Sequence, residues 1–169
     1  MDNEIARAFI EKSRAALDQE RRRIAHCLGQ LTDEDVWWRP RPKVNCIGNV
    51  LLHLFGNLRQ WFLHGFGGEE DIRNRPAEFA AVDAIPKADL LAELEDLFQH
   101  IDAILDGVDY ETLLANKRIQ GYDTDGLGAI YGTINHLEGH GVQMAYITHL
   151  RLGDLYEPFW KPASKEQGA

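Results

Sequence analysis

Cysteine is scarce: Cys27 and Cys46 are the only two in 169 residues. Nothing in that usage suggests a disulfide framework, so a reducing cytoplasm is the expected compartment. Long hydrophobic runs are missing as well. No stretch approaches the ~18 consecutive apolar residues of a membrane span, and the polar start Met1-Asp2-Asn3-Glu4 does not read as a signal peptide. Positive charge is in deficit, with 18 Lys and Arg against 27 Asp and Glu and a net charge of −9. A nucleic-acid partner would want a basic patch, so none is expected. The one basic cluster, Arg21-Arg22-Arg23, follows Asp18 and Glu20 and fits a solvated helix face. No Gly-x-Ser-x-Gly elbow, P-loop, dinucleotide fingerprint, internal repeat or low-complexity tract occurs, and no segment makes a convincing strand.

What remains is helical. Hydrophobic residues make up 44% and charged residues 27%, ordinary for one soluble domain spanning residues 1–169. A periodic stretch from about Asn3 to Gln30 carries Ile5, Ala8, Phe9, Ala15, Ala16, Ile24 and Leu28. A connector with Trp37-Trp38 and two prolines, Pro40 and Pro42, cannot continue it. One of those tryptophans should plug the bundle end. With Asn45 as its N-cap, a second helix should run from Cys46 to about His64. Gly67 to Pro86 reads as a loop whose length points to a functional or oligomer-facing role. A third helix should span Lys87 to Leu105 with Gly107 at its end. An irregular connector over Asp109 to Asp125, with at most a turn of helix near Glu111 to Ala115, precedes a fourth helix over Gly126 to Leu152. The expected fold is therefore all-α, a four-helix bundle with long irregular connectors and a poorly ordered tail beyond Trp160.

Within the fourth helix lies His136-Leu-Glu-Gly-His140. Residues four apart share a helix face one turn apart, so two imidazoles can grip one divalent cation. His53, on the second helix, is the best third ligand, and three ligands leave some of a metal's coordination shell open. Glu138 projects away from both histidines and receives no general-base role. Asn49, Asn57 and Gln60 follow His53 in azimuth, and Thr133 and Gln143 follow the pair. Two such polar lines facing each other would make an internal polar pocket, with Asn49, Asn57, Thr133 and Gln143 as candidate supporting or substrate contacts. The alternative is that the histidines are core or rim residues satisfied by hydrogen bonds. Gly139 and Gly141 flank His140, leaving either room for a ligand or close helix packing. Cys46, seven residues and about 10.5 Å from His53 along the axis, is too distant to share an ion.

The runs Trp38-Arg39-Pro40 and Asn45-Cys46-Ile47-Gly48-Asn49, leading to Leu52-His53-Leu54, with Gly56-Asn57-Leu58-Arg59-Gln60-Trp61 and His136-x-x-x-His140, resemble the DinB/YfiT-like superfamily. That resemblance, which covers nearly the whole chain, implies an up-down-down-up four-helix bundle, often a homodimer, with His53, His136 and His140 as metal ligands. Zinc or nickel are the metals it implies. It also implies a metal-dependent transferase or isomerase using a low-molecular-weight thiol and acting in detoxification or stress response, or else a metal-dependent hydrolase or a non-catalytic metal- or ligand-binding bundle.

Overall fold

The computed structural model describes residues 2–82 and 84–161; the expectation about the tail beyond Trp160 falls almost wholly on residues 162–169, outside the described residues. Four long helices form the bundle: α1 (Asp2–Gln30), α3 (Ile47–Leu58), α5 (Lys87–Asp106) and α7 (Gly126–Leu152). Each buries one stripe. In α1 it is Ile10, Leu17, Ile24 and Leu28; in α5 it is Leu90, Leu94, Leu97, Ile101 and Leu105. In α3, ten of twelve residues are buried, which makes it the central helix. Shorter elements are α2 (Asp33–Trp37), α4 (Arg75–Ala80), α6 (Tyr110–Leu114) and the hairpin β1 (Asn116–Ile119) and β2 (Tyr122–Asp125). Among the described residues, no helix is long and apolar enough to cross a membrane.

Side-chain pairings fix the helix directions. Arg21 meets Glu95 while Arg14 meets Asp102 and Asp106, so α1 and α5 run antiparallel. A Cβ at Gly141 would collide with Glu20, and His26 reaches the carbonyl of Glu157 just past α7, so α1 and α7 run parallel. Arg59 pairs with Glu93, and Gly67 lies against Ile104, so α3 and α5 are parallel too. The order is up-down-down-up. Two consecutive parallel helices demand a connection that travels back along the bundle. Residues 68–86 make that crossover, and the topology itself accounts for their number.

Several local outcomes differ from the sequence reading. The α3 helix is capped by Cys46, not Asn45, and without a side-chain cap bond; the Cys46 thiol lies 2.9 Å from Asn49 Oδ1. The expected run to about His64 is present, but beyond Leu58 it widens into a π turn over Arg59–His64. The connector after Trp38 is preceded by a helical turn, α2, closed by a reciprocal capping box between Thr32 and Asp35. The crossover contains α4. The 109–125 connector holds the anticipated helical turn, as α6, and an unanticipated two-stranded hairpin. Its strands, Asn-Lys-Arg-Ile and Tyr-Asp-Thr-Asp, are short and polar, so no apolar alternation marks them. The turn puts Gln120 at φ 53° and Gly121 at φ 80°, the two positive angles that a tight hairpin requires. Asp125 caps α7, accepting from Gly128 N at 2.6 Å. Both adjacent tryptophans are half-buried, and Trp37 lies across Gly48 with its N–H on the Ile85 carbonyl at 3.0 Å.

Candidate metal centre

The α3 and α7 helices bring three imidazoles together. Ligating nitrogens of His53, His136 and His140 all lie within 4.8 Å of one another. His53 Nε2 and His136 Nε2 are 3.2 Å apart, close to the roughly 3.3 Å edge of a tetrahedron with 2.0–2.1 Å metal–nitrogen bonds. His53 is 5% exposed, while His136 and His140 are half-buried. Burial and the neighbouring imidazoles push His136 down to about 4. Burial also lowers His53, against the opposing pull of Glu78. Neutral rings with free lone pairs are what a divalent cation needs. Donor chemistry and spacing both fit such an ion.

Two of the three rings are oriented from behind. His53 Nδ1 lies 3.0 Å from Glu78 Oε2 on α4. A proton held there fixes the tautomer that leaves Nε2 bare toward His136. His140 Nδ1 lies 2.8 Å from Gln143 Oε1, so Gln143, a turn further along α7, orients His140 in the same way. His136 Nδ1 is buried and has no partner. Glu78 is 8% exposed and is itself held by Arg73, with Nε 2.7 Å from Oε1 and Nη2 3.0 Å from Oε2. Arg73 Nη2 also approaches His53 Nδ1 to 3.1 Å, but two donors do not bond, and its hydrogens go to the carboxylate and the His53 carbonyl. Arg73 Nη1 donates to Gln60 Oε1 at 2.9 Å, and Gln60 Nε2 to Asp71 Oδ2 at 2.7 Å. A buried chain thus runs Asp71, Gln60, Arg73, Glu78, His53.

Of the residues anticipated beside the histidines, Asn57 and Thr133 line a cavity of about 890 Å³ that the three rings also line. The Thr133 hydroxyl is turned back to the Ala129 carbonyl at 2.8 Å. Asn57 is buried, and its Oδ1 has no partner. Asn49 is not on the cavity wall. Its amide donates to the carbonyls of Glu78 and Ala81, each at 3.0 Å, and so holds the crossover that carries Glu78. Glu138 is exposed. Sequence reasoning missed Arg73 and Glu78 altogether. No periodicity or motif marks them; the one signal was the crossover's length.

The remaining wall comes from the π turn and the hairpin. Trp61 donates its indole N–H to Gln120 Oε1 at 3.2 Å, and Tyr122 and Thr124 complete that side. Gly141 is a close-packing glycine against Glu20, whereas Gly132 and Gly139 face open space.

A family model described as "Protein of unknown function (DUF1572)" matches residues 4–161, and this family belongs to the DinB/YfiT-like fold. Among solved structures, the chain is similar to a conserved protein from Enterococcus faecalis at 19% identity, with a TM-score of 0.69, covering 85% of this chain and 97% of that one. It is similar also to a DinB-like protein from Bacillus cereus at 16% identity, with a TM-score of 0.65, covering 84% and 89%. Likeness at these identities shows the fold. No curated protein matches the chain.

Proposed function

The chain belongs to the DUF1572 family of DinB-like helical bundles, and from that premise we propose that it is a metal-dependent enzyme, a thiol transferase of detoxification type. A three-histidine cluster in this fold is compatible with a metal-binding protein. The observation that carries the enzymatic reading is the location of the cluster: three imidazoles, and no fourth protein ligand among the described residues, on the wall of a cavity large enough for a small molecule. A closed four-ligand structural site would look different.

A divalent ion such as zinc or nickel held there would supply Lewis acidity, lowering the pKa of a thiol or water that it binds. The chain's own residues do the rest. His53, fixed by Glu78, and His140, fixed by Gln143, have Nδ1 engaged, which leaves Nε2 as the free donor atom of each. Phe79, with its ring 4.9 Å from that of His53, shields one side from water. In the transfer the thiol loses its proton to solvent, the sulfur forms a new S–C bond, and the leaving group departs with its electron pair. Such a step needs no side-chain base. Hydrolysis would benefit from one, and the carboxylate on the cavity wall, Asp123, is paired with Arg118 at 2.6 Å. That difference favours transfer over the hydrolytic alternative.

The test is elemental analysis of untagged protein beside His53→Ala, followed by thiol consumption with an electrophilic aryl halide. Near-stoichiometric zinc or nickel that is lost in the variant, together with turnover that follows metal content, is the expected result. Failure to retain any divalent ion after incubation with each would sink the proposal.

A further inference from the structure

Two arginines line the cavity, Arg73 and Arg75. Arg73 is fully engaged by Glu78 and Gln60. Arg75 is not. Its guanidinium lies 5.0 Å over the Phe79 ring, whose other neighbour is His53, and no carboxylate pairs with it among the described residues. In a chain of net charge −9, where acidic side chains outnumber cations, a guanidinium on a cavity wall with only an aromatic face beneath it is conspicuous. The aromatic face takes none of the N–H donors, which stay available to a planar oxyanion of the kind arginine binds through its fork. The second unmatched group on the same wall is Asn57, 7% exposed, whose Oδ1 accepts from nothing among the described residues. A buried amide oxygen without a donor is costly, and a ligand can supply that donor.

We propose that Arg75 and Asn57 form the recognition site for a small carboxylate that also carries an N–H or O–H donor, and that this molecule is the thiol co-substrate of the three-histidine centre. The assignment rests on the thiol-transfer reading above. One uncommitted guanidinium balances one negative charge, which suits a carboxylate better than a phosphate dianion. The geometry orders the ligand: its anionic end at Arg75, beyond Phe79, and its sulfur inward at the histidines. Arg75 is therefore a specificity-determining residue, selecting a charged thiol over a neutral one.

N-acetylcysteine and N-acetylcysteamine differ only by the carboxylate, and both carry an amide N–H. Their Kd values, measured calorimetrically on the full chain with and without zinc, should differ about tenfold in favour of the acid, the typical worth of one charge-assisted pair. Arg75→Gln, an exposed position that leaves the fold intact, should bring the acid to the affinity of N-acetylcysteamine without changing metal content. Asn57→Ala should weaken both compounds by a similar factor, and an unchanged affinity would remove Asn57 from the site. Equal binding of the two compounds by the unaltered protein, no binding of either, or a preference that survives Arg75→Gln would overturn the proposal. Inorganic phosphate displacing the acid more strongly than acetate does would overturn the carboxylate assignment. If zinc tightens neither compound while the preference for the acid stands, the metal reading has failed and the anion site has not.

Discussion

The carboxylate of Glu78 faces two ways, with Oε2 toward the His53 ring and both oxygens toward the Arg73 fork. Such a buried charge is tolerable only because both partners are present; removing one leaves the other uncompensated. Glu78→Gln keeps the volume but removes the charge that matches Arg73 and secures the Nδ1 proton of His53. The expected outcome is a 10–100-fold weaker hold on zinc, read by chelator competition, the usual effect of deleting such a supporting group. Unchanged affinity would show that His53 orients itself. The space for this carboxylate comes from Gly56, because a Cβ there would collide with Glu78 Oε1. Here the sequence was informative in one direction only. His136 and His140 could be read from helical spacing, since a helix converts spacing into azimuth, and His53 from the polar line on its own helix together with the family resemblance. Glu78 and Arg73 sit on a crossover, where no local rule converts position in the chain into position in space. Gly56 could be seen, but not what it makes room for.

Among the elements, α2 shows how five residues can be held in place. Thr32 and Asp35 cap one another, and Asp35 also pairs with Arg151 at the end of α7 at 2.5 Å. These contacts, led by the Thr32 backbone and hydroxyl hydrogen bonds, lower Asp35 from 3.8 to about 2. The folded-state value lies below the unfolded one, so the stabilisation is complete above the unfolded pKa and is lost as pH falls from 3.8 toward 2. Its size is on the order of 2 kcal/mol. Asp35→Ala should cost roughly that much in denaturant unfolding at pH 7, and less than half as much at pH 2. An equal cost at both values would mean that packing, not charge, fixes α2. The capping box was legible as Thr-x-x-Asp ahead of an apolar pair, yet two prolines nearby drew the segment into a connector. The hairpin escaped for the opposite reason. Its only sequence cue was Gln120-Gly121, with a side chain in a conformation that glycine or asparagine would adopt more readily.

At the scale of the whole molecule, the three histidines bind α3 to α7 and, through Glu78, to the crossover. A ligand for all three should stabilise the entire bundle as RT ln(1 + [L]/Kd). Zinc should therefore raise Tm at pH 7.5 in the parent protein and leave His136→Ala unmoved, by scanning calorimetry with a chelator control. In metal-free protein the sign with pH follows from the lowered values of His53 and His136. Neutral imidazole is the folded form, so stability is complete above about 6.5 and declines as pH falls toward 4, by on the order of 2 kcal/mol for His136 after allowance for its partial exposure. A flat stability between those limits would contradict the burial that lowers them. The bundle was legible in four long apolar stripes, and its up-down-down-up order only through the family resemblance; the path of the crossover was not, since it answers to topology and not to pattern. That path has a consequence in time. His53 and Glu78 are 25 residues apart, whereas His53 and His136 are 83 apart. Shorter loops close at lower entropic cost and therefore sooner. The folding chain can thus set the first imidazole in its working pose while α7 is still undocked, so the arriving helix meets a ligand already aimed.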